Sequence, residues 1–124
     1  MNAPGRPLAF PSTARLRKRI EFEQVRREGS DKTGRMMRLA VFRTGTKEAT
    51  RIGIITSRRL GSAVTRSRLR RRFREICRIN RQGLSEGVWM VVIPRAAAAK
   101  ANHEELLEEW LKLTRQLNIL RSAK

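Results

Sequence analysis

Hydrophobic and polar residues along the chain form patterns that predict three strands. Residues 35–43 alternate with a period of two, as expected for a strand with two unlike faces. Residues 51–57 are rich in β-branched side chains, and residues 87–93 form a continuous apolar run closed by Pro94, which is typical of a buried strand. The alternating segment places one apolar set on a single face: Met37, Leu39 and Val41.

The connections between these segments predict how the strands pair. A short polar turn joins 35–43 to 51–57, so these two strands are predicted to lie side by side and antiparallel. The longer connection that leads to the last strand contains a helix, so 51–57 and 88–93 are predicted to be parallel neighbours.

Three further segments have the features of helices. The first helix is predicted over residues 13–27, with Ser12 or Thr13 as its cap. The second covers 63–81, and the third begins after a cap at Asn102. The predicted order is α-β-β-α-β-α, an α+β sandwich in which helices pack on a small mixed sheet.

The second helix belongs to a segment with an unusual density of arginine. Residues 58–81 contain ten arginines and a single acid, Glu75. At about 100° per residue, Leu69, Phe73 and Ile76 share one apolar side of the helix. The opposite side is basic and comprises Ser67, Arg70, Arg71, Arg74 and Arg78. Arginines also recur every four residues without a compensating acid in the series, at Arg66, Arg70, Arg74 and Arg78.

Like charges at this spacing destabilise a helix, so an ordinary solvated face is a poor explanation of the pattern. Arginine stacks on bases and binds phosphate in a bidentate manner, which lysine does not do. The segment therefore predicts a surface for nucleic acid, which we call the arginine face. Its members are Arg58, Arg59, Arg66, Ser67, Arg68, Arg70, Arg71 and Arg74.

Composition supports a polyanionic partner. The 124 residues carry a formal net charge of +18, and the pI is about 11.9. Residues 100–124 hold five of the 29 Lys/Arg and four of the 11 Asp/Glu, so nearly all the excess charge precedes them. A domain with this much like charge is expected to bind nucleic acid, with an anionic membrane surface as the other candidate.

The remaining residues exclude several classes of chemistry and suggest the domain organisation. One cysteine, Cys77, and one histidine, His103, offer no disulfide, zinc site or His-based triad, so neither protein catalytic residues nor a protein metal site are predicted. No run is long enough to span a membrane and no secretory signal is recognisable, so a cytoplasmic protein is expected. We predict a flexible arm over 1–12, a single RNA-binding domain over 13–120 and a tail over 121–124.

The motif around the arginine face resembles the signature region of the bacterial ribonuclease P protein family. The segment reads RIGIITSRRLGSAVTRSRLRRRFREICR. The family has a strand ending in Ser and two basic residues, then Arg-Asn-Arg-apolar followed by two basic residues, then Arg-Glu. The matching positions are Ser57 to Arg59, Arg66 to Arg71, and Arg74 with Glu75. The resemblance extends from about Leu16 to Leu117.

The resemblance implies a function and a site. Members of the family assist a catalytic RNA that removes the 5′ leader from precursor tRNA, so the protein is an accessory subunit of a ribonucleoprotein endonuclease. It implies that Mg²⁺ acts through the RNA, that the arginine helix docks on that RNA, and that neither DNA nor a membrane is a partner. It further implies a left-handed β-α-β crossover and a cleft for the single-stranded leader, to which we assign Phe22, Arg26, Arg38 and Phe42.

Two departures from the family pattern matter. Ser67 replaces the usual asparagine and has a shorter reach for hydrogen bonding. Arg26, Met37 and Ala40 stand where the family commonly has aromatic residues. These differences predict a cleft that relies more on charge than on base stacking.

Other interpretations remain open at this point. Phe22 and Phe42 could belong to the core instead of stacking on bases. A ribosomal or other structural RNA-binding protein would share the size and charge. An arginine helix could also enter the major groove of DNA, and a self-contained nuclease would cleave RNA without an RNA subunit.

Overall fold

The computed structural model describes residues 14–120 and has one four-stranded mixed sheet. The strand order is β1-β2-β4-β3, in which β2 pairs antiparallel with β1 and β4, and β3 pairs parallel with β4. The strands are β1 (Ser30–Thr33), β2 (Met37–Arg43), β3 (Arg51–Ile54) and β4 (Val88–Pro94).

The predicted antiparallel pairing of 35–43 with 51–57 is wrong, because β4 lies between β2 and β3. The apolar run of β4 explains this arrangement, since a strand covered on both faces is best placed in the middle of a sheet. The predicted parallel pairing of β3 with β4 is confirmed. The short strand β1 was not predicted, because its four residues are polar and exposed and carry no apolar alternation.

The first helix, α1 (Arg19–Glu28), begins later than predicted. Its cap is Lys18, whose backbone N–H donates to the Glu21 carboxylate at 3.0 Å. The preceding residues are extended, and the Leu16 N–H donates to the Ile52 carbonyl on the open edge of β3 at 3.0 Å. The predicted caps Ser12 and Thr13, the arm 1–12 and the tail 121–124 lie outside the described residues.

The other two helices form close to where their caps predict. The second helix, α2 (Ala63–Asn80), begins after Ser62, whose hydroxyl accepts from the Thr65 N–H at 3.2 Å. The third helix, α3 (His103–Gln116), begins after Asn102. Asn102 and Glu105 hydrogen-bond each other's backbone N–H at 2.8 and 2.9 Å, which is the predicted capping box. Between positions 14 and 120, no helix is both long and apolar enough to cross a bilayer.

Helices pack on both faces of the sheet and enclose two cores. One face carries the larger core, in which α2 and α3 cover the predicted set Met37, Leu39 and Val41. Within the described part of the chain, α1 is the only helix on the opposite face, and Leu16 of the segment before it packs there as well. Because a single helix is too narrow to cover this face, part of the sheet beside α1 stays accessible. The second core comprises Leu16, Val25, Ala40 and Val91, with Phe22, Phe42, Trp89 and Ile93 packed against it.

A carboxylate joins α3 to the turn between β1 and β2. The side chain of Glu109 accepts three backbone N–H groups, those of Arg35, Met36 and Met37, at 3.1, 2.7 and 3.0 Å. A Cβ at Gly34 would lie 2.5 Å from this carboxylate, so the turn approaches α3 closely. The clamp fixes the beginning of β2 against the larger core.

Candidate nucleic-acid interface

The arginine face forms on the outer side of α2 and on the short 3₁₀ helix Arg58–Leu60 that precedes it. Leu69, Phe73 and Ile76 are buried against the sheet, which turns the opposite side of α2 to solvent. Six predicted members are exposed, namely Arg58, Arg59, Ser67, Arg68, Arg71 and Arg74, and two are half-buried, namely Arg66 and Arg70.

The arginines of this segment differ in how they are engaged within the protein. Arg70 donates to the Thr56 hydroxyl at 2.5 Å, and Arg72 donates to the Ala101 carbonyl at 2.7 Å. Arg78 forms an ion pair with Glu75 at 2.5 Å, and its hydrogen bond lowers the pKa of the Glu75 carboxyl. The expectation that the four-residue series lacks a compensating acid is therefore wrong at Arg78, because Glu75 lies within reach one turn earlier.

The seven arginines of the arginine face keep their charge uncompensated by neighbouring acids. Across residues 14–120 the ion pairs are Arg19–Glu23, Arg27–Glu28, Arg38–Asp31, Arg51–Glu21 and Arg78–Glu75. None of these pairs includes a member of the arginine face. Repulsion along α2 therefore persists in the protein alone, and phosphate groups placed on this face would relieve it.

A second surface lies on the sheet face that α1 covers only in part. It is a cleft of about 290 Å³ between one flank of α1 and the strands, which we call the α1–sheet cleft. Its floor is apolar and its walls carry arginines, a combination that suits single-stranded nucleotides with stacked bases and charged phosphates. The cleft is lined by Arg19, Phe22, Glu23, Val25, Arg26, Arg38, Ala40, Ile55, Val91 and Ile93.

The structure brings three of the four predicted cleft residues together. Phe22, Arg26 and Arg38 line the α1–sheet cleft, but Phe42 does not. Phe42 lies on the same sheet face beside Trp89, with the ring centres 6.0 Å apart and the planes tilted by 51°. Its ring packs against the second core, which agrees with the core interpretation.

Phe22 packs in the core and also borders the cleft, so its predicted contact with bases stays a prediction. Its ring packs with the second core and also lines the α1–sheet cleft. The ring approaches the backbone of β3 so closely that a Cβ at Gly53 would lie 2.5 Å from it. A glycine within a strand pattern is the sequence signal for such an approach, and it was not used in the prediction.

The charges of the α1–sheet cleft are partly balanced within the protein. Arg38 pairs with Asp31 at 2.7 Å, and Arg19 pairs with Glu23 at 3.0 Å. Arg26 is exposed and takes part in none of the ion pairs of the described chain. Arg26 is therefore the cleft arginine most available to a phosphate. The sequence analysis did not predict Arg19 and Ile55 as cleft residues. A single exposed isoleucine such as Ile55, which is 40% exposed, is not by itself a signal for binding.

Comparisons with known proteins agree on one family. The sequence model of the family described as Ribonuclease P matches residues 10–118. The ribonuclease P protein component of Desulforapulum autotrophicum is 36% identical over 109 residues, which cover 88% of this chain and 92% of that protein. The component of Pseudanabaena sp. is 36% identical over 112 residues, which cover 90% and 97%.

Solved structures show the same fold. The RNase P protein from Thermotoga maritima superposes with a TM-score of 0.73 at 30% identity, over 82% of this chain and 96% of that one. The Staphylococcus aureus RNase P protein superposes with a TM-score of 0.78 at 19% identity, over 87% and 98%. The α+β architecture derived above is the architecture of these proteins.

Proposed function

This chain belongs to the bacterial ribonuclease P protein family, and on that premise we propose how its two surfaces divide the binding of RNA. As a ribonuclease P protein it is a subunit of the ribonucleoprotein that generates the 5′ end of tRNA. The relatives and structures described above are all RNase P proteins, and none of them supports a ribosomal role.

The arginine face binds the catalytic RNA. The supporting observation is that α2 presents its arginines to solvent without an acidic partner. Guanidinium groups fixed on one helix match the regular phosphates of a folded RNA. Ser67 lies within this face and donates at most a single short hydrogen bond, so the flanking arginines contribute most of the affinity.

The α1–sheet cleft holds the 5′ leader of precursor tRNA. The observation that carries this assignment is an apolar floor bordered by Phe22, Arg26 and Arg38. Of the residues that the structure describes, Phe22 is the only aromatic residue that lines the cleft, so we expect phosphate contacts to dominate over stacking. We expect leader binding to be tolerant of base sequence and sensitive to salt.

Catalysis belongs to the RNA subunit, and Mg²⁺ acts through that RNA in the cytoplasm. The carboxylates described above have structural partners, which supports this division of work. Glu105 caps α3, Glu109 clamps the β1–β2 turn, and Asp31 and Glu23 pair with arginines. Among residues 14–120, no three His, Cys, Asp or Glu side chains come together in one cluster.

Reconstitution tests the proposed function. The purified protein is added to a bacterial ribonuclease P RNA at low magnesium, and cleavage of precursor tRNA is followed. We expect cleavage to be strongly stimulated and the protein alone to be inactive. An absence of stimulation, or cleavage by the protein without RNA, would contradict the proposal.

The assignment of the cleft is tested separately with Arg26→Ala. This variant is expected to weaken binding of precursor tRNA with a long leader by about tenfold, as for a lost charged contact, and to leave binding of mature tRNA unchanged. Arg27→Ala is the matched control, because Arg27 is the next residue of α1, pairs with Glu28 at 3.8 Å and does not line the cleft. Equal effects of the two variants would contradict the assignment.

A further inference from the structure

A half-buried ion pair fastens α1 to β3 beside the cleft. The Nη1 of Arg51 donates to Oε2 of Glu21 at 2.9 Å, and the two side chains are 26% and 11% exposed. The Nη2 of Arg51 donates to the Arg15 carbonyl at 3.0 Å. One guanidinium therefore binds both the first turn of α1 and the extended segment that leads into it.

Glu21 is the other half of this connection. Its Oε1 accepts the backbone N–H groups of Arg17 and Lys18, each at 3.0 Å, and so forms the cap of α1. Burial raises the pKa of the Glu21 carboxyl, but the hydrogen bonds from Lys18, Arg17 and Arg51 outweigh it, and the net pKa is lowered. The carboxylate is thus ionised at neutral pH and is shared between α1 and Arg51.

The guanidinium of Arg51 also lies against an aromatic ring. Its Cζ is 5.6 Å from the centre of the Trp89 ring on the neighbouring strand β4. Arg51 pairs with Trp89 in the strand register, so the contact holds the side chain over the sheet face that α1 covers. The Trp89 ring of β4 therefore restrains the Arg51 side chain, while its guanidinium binds α1 and the extended segment before α1.

The next residue along α1 links this network to the cleft. Phe22 follows Glu21 directly, packs on Gly53 of β3 and lines the α1–sheet cleft. Arg26 lies one turn further along the same flank of α1. A displacement of the first turn of α1 would therefore move one wall of the cleft relative to its floor.

We propose that Arg51 is a positioning residue for the leader. Acting through Glu21, it holds α1 at the distance from the sheet at which the α1–sheet cleft binds the single strand. The inference rests on the proposed function, since it assumes that the cleft holds the leader. Arg51 itself does not line the cleft, so its effect is transmitted and not a direct contact with RNA.

The experiment measures KM and kcat of the reconstituted holoenzyme with two substrates, a precursor tRNA with a long leader and one with a single-nucleotide leader. Arg51→Met is expected to raise KM about tenfold for the long leader, because misplacing a binding wall by a fraction of an ångström weakens contacts made along the strand. KM for the short leader and kcat for both substrates should stay within about twofold of the wild type.

Two further variants separate positioning from folding. Arg81→Met is the matched control, because Arg81 also donates to a backbone carbonyl, that of Thr50 at 3.0 Å, but does so at the far end of α2. Arg51→Lys keeps the charge and serves if Arg51→Met does not fold, but its ammonium lacks the planar fork with which the guanidinium binds Glu21 and the Arg15 carbonyl at once. It should show a smaller rise in KM, again confined to the long leader.

The outcomes are distinct. Arg81→Met is expected to lower the melting temperature without any leader-dependent change in KM. If Arg51→Met behaved in the same way, or changed KM equally for both leaders, the positioning role would be overturned. If the wild-type enzyme itself failed to distinguish the two leaders, the assignment of the cleft to the leader would fail, and the inference with it. If only the long leader is affected in both Arg51 variants, the inference is supported.

Discussion

At the scale of single residues, the absence of a side chain at a glycine allows a large neighbouring ring to approach the backbone. Phe22 reaches the backbone of β3 only because position 53 has no side chain. The ring consequently fills part of the second core and still presents an edge to the α1–sheet cleft. Fold and binding surface thus depend on the same contact.

Gly53→Ala tests this contact. A Cβ there would lie 2.5 Å from Phe22 and 3.1 Å from the Cβ of Leu16, so we expect the free energy of unfolding to fall by about 1–3 kcal/mol through overpacking. Urea denaturation measures the change. Gly83→Ala is the control, because a Cβ at Gly83 meets no atom within 4 Å. Equal stabilities of the two variants would show that Phe22 does not pack on β3.

Cys77 offers a second test at this scale. Burial raises the pKa of the Cys77 thiol to about 12, so the reactive thiolate is scarce at ordinary pH. The native protein is expected to resist alkylation at pH 8, whereas the protein in denaturant should react at the rate of a free thiol. Mass spectrometry after iodoacetamide treatment measures this, and rapid alkylation of the native protein would mean that the larger core is open at α2.

At the scale of elements, the carboxylates have the clearest structural effects. Glu21 and Glu105 each cap a helix, and Glu109 binds three successive N–H groups across the molecule. Glu21 and Glu105 each bind backbone N–H groups only three or four residues away, so a local sequence pattern can indicate them. The clamp by Glu109 joins segments more than seventy residues apart, and nothing in the local sequence distinguishes Glu109 from the neighbouring glutamates.

Glu109→Ala leaves three backbone donors without an acceptor in the turn before β2. We expect it to reduce the free energy of unfolding by about 2–3 kcal/mol, as for the loss of hydrogen bonds to a charged group. Glu108→Ala, at the exposed neighbouring position, should change it by no more than about 0.5 kcal/mol. Thermal and urea denaturation of both variants provide the measurement, and similar losses would argue against the clamp.

The cap of α1 predicts a pH dependence. The lowered pKa of Glu21 means that the folded state favours the carboxylate. Its contribution is fully present above the ordinary value of 4.5 and is lost as the pH falls through the lowered pKa of the folded state. Wild type is therefore expected to be more stable than Glu21→Gln at pH 7, with the difference shrinking once the pH falls below 4.5. Denaturation curves at several pH values test this, and a constant difference would contradict it.

The elements show what the sequence could predict and what it could not. The extents of α2 and α3 follow from local caps and apolar stripes, and the arginine face follows with α2 because its members lie on one helix and the turn before it. The order of the strands depends on pairing between distant segments, which local patterns do not contain. The α1–sheet cleft is built from α1, β2, β4 and Ile55 just after β3, so only the family resemblance indicated it. That resemblance led to Phe42 being assigned to the cleft, whereas the structure leaves Phe42 out of the lining.

At the scale of the whole molecule, the main clusters of positive and negative charge lie on different helices. The arginine face lacks acidic partners, while α3 begins with a run of glutamates and lies against the larger core with α2. A net charge of +18 on 124 residues favours association with any polyanion. If the arginine face binds RNA as proposed, we expect specificity to depend on the spacing of its arginines along α2 as well as on charge.

The salt dependence of RNA binding tests this distribution. Arg71→Ala and Arg74→Ala remove exposed members of the arginine face, and each is expected to reduce the slope of log affinity against log salt by about one unit. Arg115→Ala, at an exposed position of α3, is the control and should leave the slope unchanged. Filter binding to ribonuclease P RNA over a range of salt measures it, and equal slopes for all three variants would mean that the arginine face only meets solvent.

The position of β4 in the middle of the sheet affects the order in which the nascent chain can fold. Both cores draw on this strand, Met90 and Val92 for one and Val91 for the other, yet it is the last strand to be synthesised. Until β4 is synthesised, β1 can pair with β2, but β3 has no neighbouring strand and neither core is complete. Because the arginine face precedes β4 in the sequence, both cores can close only after all of its arginines have been synthesised.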